Sequence, residues 1–160
     1  MTRGFTLVEL ILVMVILTVV MAIAVPSIAR SFRQRNLEQE AARLLAVTEY
    51  GRDEAVSEGA PMSVWIEPER GVFGVDAEPG FVPGDVRRKH YALGGDIHFD
   101  LEKTPDARDG RVEAARFAPD GNMDADGGVD SIRIANRWNS TMTVARTQDG
   151  LGYEIAKEAK

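Results

Sequence analysis

Apolar and polar positions divide this chain into three regimes. From Phe5 to Val25 it reads FTLVELILVMVILTVVMAIAV, with no polar face at helical spacing. A helix of that length rises ~1.5 Å per residue and matches a hydrocarbon core ~30 Å thick, so residues 5–25 are expected to span a membrane. Beyond it, Leu37, Ala41, Leu44, Leu45, Thr48, Ala55 and Val56 recur at three- and four-residue steps. Arg33, Glu38, Glu40, Arg43 and Asp53 are left for the wet side. That is an amphipathic continuation of the stem over 26–58, ended by Gly59 and Pro61. Pro26 has no N–H and pushes Val25 away from helical geometry, so a kink or local melting is expected there.

From residue 59 to 160 the period changes to two. Met62, Val64 and Ile66 alternate with Ser63, Trp65 and Glu67, and Pro68-Glu69-Arg70-Gly71 turns the chain into VFGVD. Residues 77–90 carry Pro79, Gly80, Pro83 and Gly84 and read as a long connection. Ile97, Phe99 and Leu101 alternate, as do Ile132 and Ile134, Met142 and Val144, and Leu151, Tyr153 and Ile155. A long helix followed only by strands predicts an α+β fold, an antiparallel β-sheet domain packed on the helix.

Composition narrows this picture. Of 160 residues, about 130 remain beyond the apolar run, enough for one compact domain. Cysteine is absent, which excludes disulfides and thiol ligands. The formal net charge of −6 argues against a strong grip on nucleic acid, which needs phosphate-neutralising Lys and Arg.

The apolar run has a rival reading as a removable signal peptide, because Ala22-Ile23-Ala24 offers an A-x-A cleavage pattern. Its hydrophobic region exceeds the usual ~7–15 residues, however, and its basic part is one arginine. It also contains Glu9, a carboxylate where a charge at helix centre costs roughly 2.5–3.5 kcal/mol and one nearer the end costs less. A membrane anchor fits better. Charge counting alone, Arg3 on one side against Arg30, Arg33 and Arg35 on the other, leans toward an N-terminus outside.

The stretch Arg3-Gly4-Phe5-Thr6-Leu7-Val8-Glu9-Leu10 resembles the class III signal of type IV pilins and type II secretion pseudopilins. The resemblance implies a leader of residues 1–4, cleavage by prepilin peptidase between Gly4 and Phe5, and N-methylation of Phe5. It also implies a single-pass inner-membrane protein with a cytoplasmic N-terminus and a periplasmic globular domain, reversing the charge count. Glu9 would pair with the terminal amine of a neighbouring subunit and set axial register during assembly. The plainer alternative is that Glu9 snorkels to the interface.

Further along, LLAVTEYGRDEAVSEGAPMSVWIE and FAPDGNMDADGGVDSIRIAN resemble the H-type minor pseudopilins, the general secretion pathway protein H family, and the related FimT-type minor pilins. This implies a pilin-like fold and a role in the tip or initiation complex of a type II secretion pseudopilus for protein export. The alternative is a minor type IV pilin in pilus assembly or DNA uptake. The implied partners are other pseudopilins through the N-terminal helix, prepilin peptidase, an inner-membrane assembly platform and inner-membrane lipid. The implied chain is a structural protein, not an enzyme. Because K-type tip pseudopilins lack the acid that Glu9 supplies, a position at or just below the tip complex is expected.

Other candidate chemistry is weaker. Asn122, Asp124 and Asp126, then Gly127 and Asp130, match the opening of a calcium loop. The twelfth position is Arg133 rather than glutamate and the flanks read as strands, so an acidic hairpin loop is preferred and no cofactor is expected. His90 and His98 are the two histidines, and neither spacing suggests a pair with an acid. Arg87-Arg88-Lys89 beside Tyr91 could touch DNA phosphates, although a solvated loop is the simpler account. Trp65 and Trp138 suit packing or subunit contact. No G-x-S-x-G elbow, H-E-x-x-H or phosphate-cradling glycine motif occurs.

Overall fold

The computed structural model describes residues 6–78, 80–81, 89–101, 110–124 and 127–156, with Arg30 described by its backbone alone. Among these residues one helix, α1 (Leu7–Glu58), is followed by eight strands: β1 (Met62–Glu67), β2 (Val72–Ala77), β3 (Lys89–Ala92), β4 (Ile97–Phe99), β5 (Val112–Phe117), β6 (Ser131–Asn136), β7 (Thr141–Arg146) and β8 (Tyr153–Ala156). The chain forms two compact units, Met1–Arg35 and Asn36–Lys160.

In the first unit the helix continues through Pro26, so the expected local melting does not occur. Proline forfeits one bond, to the carbonyl of Ala22, while the bonds on either side hold the turn. In a bilayer, unwinding a segment this apolar would leave more backbone groups unpaired where no water could reach them. An 18-residue window of mean hydropathy 3.0 lies wholly exposed, long and apolar enough to cross a membrane.

In the second unit the helix buries Leu37, Ala41, Leu44, Thr48, Gly51 and Ala55, at alternating steps of four and three. Val47 joins them. Thr48 belongs on this face because its hydroxyl donates to the Leu45 carbonyl at 2.7 Å. Two members of the expected stripe differ. Leu45 is half-buried, and Val56 is exposed because it lies about 100° round the helix from Ala55. Gly59, at φ 61°, ends the helix as expected.

The strands form two four-stranded antiparallel sheets rather than one, ordered β3-β2-β1-β5 and β4-β6-β7-β8. Met62, Val64, Ile66, Phe73 and Phe117 from the first sheet share a core with Phe99, Ile132, Ile134, Val144 and Tyr153 from the second and with the buried helix face. Strand β5 does not alternate between buried and exposed positions. A bulge in its pairing with β1 steps the register from Val64↔Ala115 to Trp65↔Glu113, so Ala114 and Ala115 are both buried. The connection expected over 77–90 is shorter, since Ala77 closes β2 and Lys89 opens β3. Leu101 lies past β4 and Leu151 sits in the turn before β8.

Trp65 also departs from alternation. It points away from the core side of β1 yet is 5 % exposed. Gly74 stands directly opposite it on β2, and His90 opposite Gly74 on β3. The glycine leaves a slot for the indole, and the Arg111 guanidinium closes it from above, 4.0 Å from the ring centroid.

Candidate functional site

The N-terminal end of α1 is built by four residues, Thr6-Leu7-Val8-Glu9. Thr6 precedes the first helical residue and its hydroxyl accepts the Glu9 N–H at 3.3 Å. It is therefore the cap, with Glu9 at the third helical position, the spacing of a capping box. The positive end of the helix dipole favours a carboxylate there by about 0.3–1 kcal/mol. Thr18, the other polar residue between Leu7 and Val25, satisfies its hydroxyl on the Val15 carbonyl at 2.7 Å. Glu9 is thus the single ionisable side chain in that stretch, and it is exposed. Gly4 and Phe5 lie outside the described residues. The cap went unread in the sequence, although T-x-x-E before an apolar run is its signature.

The acidic loop is organised by a residue that sequence reasoning missed. Arg146, in β7, donates from Nη2 to the Asp124 carbonyl at 2.8 Å and to the Gly127 carbonyl at 3.1 Å. Its backbone N–H donates to the Asp130 carbonyl at 2.8 Å. A guanidinium thus occupies two loop carbonyls. Asn122 is held by Asp120, which accepts its backbone N–H at 2.9 Å and its side-chain amide at 2.8 Å. These two bonds hold the Asp120 carboxyl below the usual carboxylate range. The Asp124 carboxylate faces Arg116 at 3.8 Å, Asp130 is exposed, and Asp126 lies outside the described residues. Among the described residues no group of three or more His, Cys, Asp or Glu side chains converges as a metal site would require.

Strand pairing brings His90 to an acid after all. Its Nε2 is 3.7 Å from Asp76 Oδ1, and its ring meets Trp65 edge-on at 5.1 Å. No spacing rule would find this pair, because it depends on the β2–β3 register. His98 is exposed on β4. Lys89 and Tyr91 are not in a loop: Lys89 Nζ sits 3.7 Å over the Tyr50 ring, and Arg43 lies 4.7 Å from the Tyr91 ring centroid. Both therefore fasten β3 to the helix. Arg87 and Arg88 lie outside the described residues. Trp138 is 46 % exposed at the β6–β7 turn.

Comparison with known proteins agrees with both halves of this description. Residues 1–25 match the family described as the prokaryotic N-terminal methylation motif. The fold is similar to the crystal structure of the type IV minor pilin FimU of Pseudomonas aeruginosa (strain PAO1). The TM-score is 0.55 at 16 % identity, covering 81 % of this chain and 95 % of that one. The minor pseudopilin EpsH from the Type 2 Secretion System of Vibrio cholerae aligns with a TM-score of 0.48 at 12 % identity, over 79 % of this chain and 98 % of that one. No curated protein matches the chain. The chain therefore carries a prepilin-type N-terminal motif and has a pilin-like α+β fold.

Proposed function

We propose that this chain is a minor pseudopilin, cleaved between Gly4 and Phe5, methylated at Phe5, and held in the inner membrane by one span with its second unit in the periplasm. It joins other pseudopilins, through their N-terminal helices, in the tip or initiation complex of a type II secretion pseudopilus. The observation that carries this is Glu9, the one ionisable side chain of the apolar stretch Leu7–Val25 and at its head. Capping contributes about 0.3–1 kcal/mol, against a cost that reaches roughly 2.5–3.5 kcal/mol for a charge at helix centre and is smaller toward the end where Glu9 sits. Opposite unit charges 4 Å apart gain about 4 kcal/mol at an effective dielectric of 20. A neighbour's terminal amine therefore offsets the cost of drawing Glu9 into a helix bundle.

A second reading, a minor type IV pilin, is favoured by the likeness to FimU. Deleting the gene separates the two: loss of exported protein from the medium supports the pseudopilin, and loss of pili with secretion intact supports the pilin. The shared premise is tested in membranes. Mass spectrometry should find a mature chain beginning at methyl-Phe5, and Glu9→Ala should lower co-purification with its assembly partners at least tenfold. A chain beginning at Val25, or unaltered co-assembly of Glu9→Ala, overturns the proposal.

A further inference from the structure

Charge is unevenly placed on the far flank of the apolar span. Between Glu9 and Glu38 the sequence has no acid, and its cations there are Arg30, Arg33 and Arg35, all within ten residues past Val25. Cations beside a span favour the cytoplasmic side. The reading in which the leader is cut in the cytoplasm puts these three outside, against that tendency. Three arginines kept on the disfavoured flank call for a partner there.

Their placement round the helix selects the kind of partner. Helix α1 runs unbroken through all three positions. At about 100° per residue, positions 33 and 35 lie about 300° and 140° round the axis from position 30. Every direction round the helix is then within about 80° of a cation. A docked protein covers one side of a helix, whereas lipid head groups surround it. The ring suits lipid.

Depth agrees with that choice. Side chains on a helix lean toward its N-terminus, which here is the side of the span. Arg33 shows the lean, since its Nε donates to the Ala29 carbonyl at 3.0 Å, one turn nearer the span. Ala29 lies four residues past Val25, ~6 Å along the axis. A head-group layer is roughly 5–7 Å thick, so this guanidinium stands level with lipid phosphates. A guanidinium has five N–H donors and keeps its charge, so the bond to Ala29 does not spend its attraction for phosphate. Ile28 and Phe32, one turn apart on the same stretch, are 55 % and 62 % exposed, apolar surface that lipid covers better than water. A zwitterionic head group neutralises its own phosphate, whereas an anionic one presents net charge to a cation. We infer that Arg30, Arg33 and Arg35 form a collar that binds the phosphates of anionic phospholipid in the periplasmic leaflet and fixes the depth of the span. The inference deepens the anchored-subunit reading and rests on it for the span and its direction.

Full-length chain in phosphatidylcholine vesicles, with a trace of spin-labelled phosphatidylglycerol or spin-labelled phosphatidylcholine, tests the collar. Electron spin resonance reads the fraction of each label immobilised against the protein. The anionic label should be enriched about twofold or more over the zwitterionic one. Salt at about 1 M, where the Debye length is ~3 Å, should diminish that enrichment. The triple variant Arg30→Gln, Arg33→Gln, Arg35→Gln should lose it, and lysine at the same three positions should keep most of it, both with the thermal midpoint unchanged. Equal association of the two labels, or enrichment that survives in the glutamine variant, overturns the collar. So does inorganic phosphate that abolishes enrichment where chloride of equal ionic strength does not, which would make the arginines a site for the free anion. A glutamine variant that keeps the enrichment but loses its assembly partners overturns it in favour of a protein contact. A mature chain beginning at methyl-Phe5 with equal association removes the collar alone, whereas a start at Val25 removes the anchored reading as well.

Discussion

The Tyr153 hydroxyl lies 2.6 Å from the carbonyl oxygen of Ala114, joining the two sheets through the core. The Val129 carbonyl oxygen is 2.5 Å away on its other side, so one proton is shared between two acceptors. A phenolate there would be buried against both. Burial, as the main cause, pushes the phenol up from 10.0 to about 12, with Arg146 opposing and Asp130 adding. The folded state thus holds a proton that the unfolded chain releases above its ordinary value. Stability from this site is complete below pH 10 and is lost as pH rises toward 12. Tyr153→Phe should cost about 0.5–1.5 kcal/mol at neutral pH, the net contribution of a hydrogen bond, and should flatten the alkaline limb. Urea unfolding between pH 8 and about 12 measures both; an equally steep alkaline loss in the phenylalanine variant would refute the assignment.

Gly74 makes a sharper steric prediction. A Cβ there would stand 2.5 Å from the Lys89 carbonyl oxygen and 2.8 Å from Trp65 Cζ2. The oxygen belongs to the paired neighbouring strand and cannot step aside, so β2 or the indole must move. Gly74→Ala is expected to destabilise by about 1–3 kcal/mol, the range for overpacking, and to shift Trp65 emission. An alanine variant with an unchanged urea midpoint would mean the slot is not tight.

What the sequence made legible follows from which forces are periodic. Met62, Val64 and Ile66 announced themselves because each faces one core at a spacing of two, and α1 because its apolar run has no interruption. Strand β5 was hidden by the bulge that buries Ala114 and Ala115 together, which breaks the very pattern that marks a strand. Trp65 was hidden for a related reason: its burial depends on Gly74 and Arg111, neither adjacent in sequence. The apolar helix end could be read from eight residues because it is local. The His90–Asp76 contact and the Arg146 clasp could not, since each exists through the register of strands that the sequence leaves open.

On the acid side the expected sensor is Glu67. It is 7 % exposed and receives Arg111 Nε at 2.9 Å and Arg70 Nη1 at 2.8 Å. These arginines, chiefly through the Arg111 hydrogen bond, hold its carboxyl below the usual range. Its contribution is therefore present above the ordinary carboxylate value and is lost as pH falls through the lower folded one. Glu67→Gln should lower the thermal midpoint at neutral pH and reduce its further fall under acid. If the variant and the unaltered chain lose midpoint in parallel from pH 6 to about 2, other carboxylates govern the acid limb.

Arg146 bears on whether the Asp124–Asp130 loop needs a metal. Its guanidinium donates to the Asp124 and Gly127 carbonyls, and its own backbone N–H ties down Asp130. A divalent cation entering the same loop would meet that positive charge before it met a full set of oxygens. Hydrogen bonds to charged groups contribute about 1.5–3 kcal/mol, so Arg146→Ala should cost an amount of that order. The variant also leaves an acidic loop without its internal cation, and millimolar calcium should then recover part of the lost thermal midpoint. The unaltered chain should melt alike in calcium and in chelator. If calcium instead raises the unaltered chain's midpoint as much as the variant's, the loop holds metal beside the guanidinium, and the arginine is not its substitute.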